Sequence, residues 1–82
     1  MIPNDNELLA HIEKIHTTEQ GYIRIKNNLE LDTDDIIAWC INAITSRNCR
    51  LLRKGKNWYA DIDDIAITIN AYSFTIITAH RK

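Results

Sequence analysis

Glycine is scarce in this chain: Gly21 and Gly55 are the only two in 82 residues. A phosphate-cradling loop needs several glycines so that backbone N–H groups can approach an anion closely, so neither a dinucleotide fingerprint nor a P-loop fits. Cysteine is equally scarce. Cys40 and Cys49 form no CxxC pair and have no histidine at metal-ligand spacing, which argues against a zinc site and against a disulfide framework; both are expected to be reduced. There is no HExxH, no GxSxG and no calcium loop, so zinc proteolysis, esterase chemistry and loop-type calcium binding have no support. No cofactor and no metal is expected. Pro3 is the single proline, and no Pro-, Gly- or Ser-rich stretch divides the chain. No apolar run approaches the ~18 residues that span a bilayer, and Met1 to Asp5 lack the basic and apolar regions of a signal peptide. The expectation is a cytoplasmic protein that engages no membrane.

What is present is an ordinary globular composition, 45% hydrophobic and 26% charged, read as one domain over residues 1–82 with a modest core. The formal net charge is −1, yet the charge is uneven. Arg47, Arg50, Arg53, Lys54 and Lys56 fall within ten residues that hold no acid, between the Asp32, Asp34, Asp35 group and the Asp61, Asp63, Asp64 group. Such a segment makes a local anion-binding patch, or else a solvated turn with its flanks.

Hydrophobic periodicity divides the chain into a helical part and an extended part. Asn4, Asp5 and Asn6 offer caps for a first helix over about 6–15, with Leu8, Leu9, Ile12 and Ile15 at helical spacing. Thr17 and Gln20 have the form of a capping box for a second helix over about 18–28, with Tyr22, Ile25 and Leu29 on one face. His16 is read as a structural residue at the join of these two helices. Asp32 or Thr33 is expected to cap a third helix, whose stripe is Ile36, Ile37, Cys40, Ile41 and Ile44, with Trp39 at the edge of a sheet. After Ser46 the period falls to two: strands at 50–54 and 57–62 flank Gly55 and Lys56, and further strands follow at 65–70 and 74–80. Helices first and strands last predict an α+β fold, two or three N-terminal helices packed on one face of a C-terminal antiparallel sheet of three to four strands. Pairing in chain order puts Lys54 to Lys56 and Asn70 to Ser73 at one end of the sheet and Asp63 with His80 at the other.

The segments "RKGKNWY" and "TIITAHRK", with "IHTTEQGYIRIKNNL" upstream, resemble an uncharacterised family of small bacterial and phage-associated proteins, over His16 to His80. That resemblance implies no activity. Helices followed by an antiparallel sheet ending in "ITAH" are also similar, at a distance, to the RelE, barnase and colicin group of small ribonucleases. This second resemblance implies metal-independent RNA cleavage, which needs a base, an acid and fixed cations around a phosphate. His80 is then the candidate base or acid, Arg50 or Arg53 the phosphate clamp, and Tyr59 or Trp58 a platform for a base. Lys54, Lys56, Trp58 and Arg81 are candidate binding residues.

Each of these has a structural reading as well. A histidine at a strand end is commonly exposed, one of Trp58 and Tyr59 belongs in the core, and edge-strand arginines guard against aggregation. The acidic balance also departs from strongly basic ribonuclease toxins. The first expectation is therefore a protein-binding or regulatory module, of phage or mobile-element origin, acting on a protein partner or as a homodimer through its sheet and exposed aromatics. RNA binding or cleavage is the alternative. Arg50, Arg53 and His80 converging on one concave face would favour phosphate chemistry; a flat apolar patch would favour a protein. Loss of Arg81 and Lys82 is expected to leave stability unchanged, and His80→Ala to spare folding while impairing function.

Overall fold

The computed structural model describes residues 8–82, so the Asn4 to Asn6 caps lie outside the described residues. Three helical elements precede a four-stranded sheet, the α+β arrangement expected. Residues 8–10 are helical and Ile12–Lys14 is a 3-10 turn, so the long first helix expected over 6–15 breaks before it reaches Ile15. Leu8 and Ile15 are nevertheless buried.

Helix α1 is Glu19–Leu29. Its cap is Thr18, whose hydroxyl accepts from the Gly21 amide at 3.0 Å, and not Thr17. The Thr17 hydroxyl donates instead to the Ile76 carbonyl at 2.8 Å, pinning the helix start to the sheet. A methyl group on Gly21 would stand 2.2 Å from Thr17 Oγ1, so this close approach requires glycine. Helix α2 is Ile36–Ile44, capped by Asp35 through the Ala38 amide, whereas Thr33 accepts from the Asp35 amide outside the helix. Its buried residues are Ile36, Cys40 and Ile44, a row at i, i+4, i+8; Ile37, Ile41 and Trp39 are half-buried beside it. Burial pushes the Cys40 thiol up to about 12, so it stays protonated. Between the helices, Tyr22 donates to the Asp34 carbonyl and Lys26 pairs with the Asp34 carboxylate, which raises the one pKa and lowers the other mainly through that hydrogen bond.

Strands β1 (Arg50–Lys54), β2 (Asn57–Ile62), β3 (Ile65–Asn70) and β4 (Ile76–Arg81) form an antiparallel meander in chain order. Gly55, at φ +61°, turns the first hairpin in two residues, where only glycine adopts the conformation without strain. One face of the sheet carries Trp58, Ala60, Ile62, Ile67, Ile69, Ile76 and Ala79, all buried against Ile25, Leu29, Ile36, Cys40 and Ile44 of the helices. Trp58 is fully buried.

The last strand starts later than expected. Phe74, at φ +60°, belongs to a tight connection in which Asn70 Oδ1 accepts from the Tyr72 and Ser73 amides. Phe74 tucks its ring against Trp58 at 5.3 Å. A register shift at Thr68 and Ile69 then leaves Ile76 and Ala79 facing inward with Ile77 outward.

Candidate functional site

All the helices lie on one face of the sheet, and among the described residues nothing covers the other. Strand alternation decides what that bare face shows. From β1 come Arg50, Leu52 and Lys54; from β2, Asn57, Tyr59 and Asp61; from β3, Ala66 and Thr68; from β4, Thr78 and His80, with Ile77 at the register shift. Leu52 is 60% exposed, Ile77 40% and Tyr59 39%. A groove of about 420 Å³ runs over this side, with Arg50, Leu52, Tyr59, Asp61 and Ala66 among its walls. The Tyr59 hydroxyl accepts from Asn57 Nδ2 at 3.3 Å, which holds the ring across the strand.

Register places Arg50 beside Asp61, Asp61 beside Ala66 and Ala66 beside His80, so the four stand in one row. Arg50 and His80 are thus three strand spacings apart, roughly 14 Å. Between them the Asp61 carboxylate pairs with the Lys82 ammonium. The row sets one cation, Arg50, beside one carboxylate, Asp61, with Ala66 separating them from His80.

The expected site residues divide between the two faces. Arg50, Lys54, Tyr59 and His80 share the bare face, while Arg53, Trp58 and Arg81 point to the helical side. Arg53 donates through Nε to the Gly55 carbonyl, and its guanidinium lies 5.4 Å from the Trp58 ring centre and 5.8 Å from that of Tyr72. Trp58 is core, not a platform. Arg81 reaches Asp64 and the Leu29 carbonyl, both at 3.3 Å, so it fastens β4 to the end of α1. Lys56 is exposed in the hairpin turn, and its carbonyl accepts from Ala71. Convergence of Arg50, Arg53 and His80 on one concave face is therefore not what the fold produces.

His16 has a structural place. Its Nδ1 donates to the Lys14 carbonyl at 2.8 Å, because a carbonyl only accepts, and Nε2 shares a hydrogen bond with the Thr75 hydroxyl at 3.0 Å. With the backbone bridge between His16 and Thr75, this closes the outer edge of the sheet where β4 begins. Among the described residues, the opposite edge, β1, has no such cover. Among the described residues, no three His, Cys, Asp or Glu side chains gather as metal ligands would, and no helix is long and apolar enough to cross a membrane.

Sequence reasoning missed Leu52, Ile77 and Asp61 as parts of this face. The signal was there for two of them: adjacent apolar pairs, Leu51–Leu52 and Ile76–Ile77, must each send one side chain outward in a strand. A family model described as "Protein of unknown function (DUF3781)" matches residues 9–80. No curated protein and no solved structure matches the chain.

Proposed function

The chain belongs to that uncharacterised family, and on its geometry we propose that it is a protein-binding or regulatory module whose bare sheet face is the docking surface. The observation that carries this reading is the exposed apolar set Leu52, Tyr59 and Ile77 on an uncovered face. Leu52 beside Tyr59, with Ile77 on the far strand and Arg50, Lys54, Asp61 and His80 interspersed, have the mixed apolar, aromatic and charged make-up of a protein interface. A shared phosphate site of Arg50, Arg53 and His80 has no comparable support, since Arg53 lies on the other face.

The test uses the intact chain as bait, then measures binding of the purified captured protein to the parent, to Leu52→Asp and to Tyr59→Ala. Both side chains are exposed, so the variants are expected to keep the parent's melting temperature and to lose the partner. Equal binding by all three chains would remove the bare face from the reading.

A further inference from the structure

The bare face is small for a stable interface. Four strand spacings by about six residues of rise make it roughly 19 by 20 Å in projection, about half of the ~800 Å² a standard interface takes from each partner. A partner held there extends over an edge of the sheet. The two edges differ. β4 is closed by the His16 bridge, by Asn28 donating to the Ala79 carbonyl at 3.2 Å and by Arg81 on Leu29. Among the described residues, β1 pairs with β2 alone. In a two-residue hairpin the Lys54 and Asn57 backbones face each other, as do Leu52 with Tyr59 and Arg50 with Asp61; the Leu51 and Arg53 amides and carbonyls therefore point outward.

Charge decides what that edge accepts. No acid occurs between Asp35 and Asp61, and the five cations Arg47, Arg50, Arg53, Lys54 and Lys56 all lie there. A second copy pairing antiparallel about Leu52 would set Arg50 against Lys54, which disfavours that pairing. We propose that β1 takes an extended acidic segment of a partner protein as a fifth strand of the sheet. This rests on the protein-binding reading and names its chemistry. Side-chain parity sets the motif: acids opposite Lys54, Arg53 and Arg50, and apolar residues opposite Leu52 and Leu51. In the antiparallel sense this is Glu-Glu-Val-Val-Glu. The Leu52 side chain, 60% exposed beside the groove, receives the first valine.

The probe is acetyl-Thr-Glu-Glu-Val-Val-Glu-Thr-amide titrated into the isotope-labelled full chain, with amide shifts and hydrogen exchange as readouts. The Leu51 and Arg53 amides are expected to shift and to exchange more slowly. A peptide with lysine for glutamate is expected to leave them unmoved, and one with proline for the second valine, whose N–H faces Leu51, to bind much less well. The double variant Arg50→Glu, Lys54→Glu is expected to bind the acidic peptide about tenfold less tightly and to accept the lysine peptide.

The proposal is overturned if the Leu51 and Arg53 amides do not respond, if both peptides act alike, or if a single-stranded oligonucleotide moves them as strongly as the acidic peptide does. Concentration-dependent shifts of those amides without peptide would assign the edge to a second copy and overturn it too. Shifts confined to Tyr59, Thr68 and Thr78 would discard strand addition and leave the bare face standing. Peptide binding at β1 together with full partner binding by Leu52→Asp and Tyr59→Ala would do the reverse.

Discussion

Arg81 donates through Nη2 to the carbonyl of Leu29 at 3.3 Å, tying the last strand to the final residue of α1. That carbonyl is one of those a helix leaves without an internal partner, and a cation there also meets the negative end of the helix dipole. The same guanidinium pairs with Asp64, and the Lys82 amide donates to the Asp64 carbonyl at 2.6 Å. Removing residues 81 and 82 is therefore expected to cost about 1–2 kcal/mol, contrary to the neutral outcome the sequence suggests for terminal charges. Urea unfolding of the truncated chain checks this. An unchanged midpoint would mean that the Arg81 contacts contribute nothing.

The inner row of α2 separates two isoleucines that look equivalent in the sequence. Ile36 is 1% exposed, whereas Ile41 is half-buried on the flank. A carboxylate at Ile36 loses its water without gaining a partner, and one at Ile41 keeps part of its hydration. Ile36→Asp is expected to unfold the chain or cost about 4 kcal/mol or more, and Ile41→Asp about half of that. Circular dichroism melts of the two variants give the order; a larger loss for Ile41→Asp would place the inner row wrongly.

Periodicity alone made the layers legible. The change from helical spacing before Ile44 to alternation after Arg50 and the two-residue turn at Gly55 were sufficient for two or three helices followed by an antiparallel sheet of three to four strands; the structure has three helical elements and four strands in chain order. Phase was harder to read. Apolar residues at 36, 37, 40, 41 and 44 make a stripe two residues wide, and only packing against the sheet selects Ile36, Cys40 and Ile44 as its centre. Thr17 and Thr18 are both able to cap, and the choice follows from Thr17 having a carbonyl on β4 to donate to. The division of Arg50 from Arg53 was available from parity, since residues three apart in a strand point to opposite faces. The left-handed Phe74 was not, because its conformation is held by tertiary contacts with Asn70 and Trp58.

The Lys26–Asp34 pair makes a pH dependence with a definite sign. The Lys26 hydrogen bond holds Asp34 below its ordinary value of 3.8, so the folded chain binds that proton less readily than the unfolded one. The contribution is complete above that value and is lost as pH falls through the lower, folded one. Lys26 is raised above its ordinary 10.5, so its share is complete below that value and is lost as pH rises through the folded one. Both groups are exposed, so the effect is small and salt-sensitive. Urea midpoints of the parent and of Asp34→Asn are expected to differ at neutral pH and low salt and to draw together on acidification. A difference that persists at pH 2 would assign the effect to something other than this pair.

His80 is the residue on which the two functional readings part most clearly. It is exposed at the end of β4, in the row with Arg50 and Asp61, and its side chain makes no hydrogen bond among the described residues. His80→Ala is therefore expected to leave the melting temperature unchanged, the stability cost staying within about 0.5 kcal/mol. Arg53→Ala uncovers the Trp58 ring and is expected to cost about 1 kcal/mol. If the bare face docks a protein, His80→Ala weakens partner binding at the rim while Arg53→Ala acts on stability. Total RNA incubated with the parent chain, with and without chelator, is then expected to stay intact. Cleavage abolished by both His80→Ala and Arg53→Ala would overturn the protein-binding reading, because it would require residues on opposite faces of the sheet to meet at one phosphate.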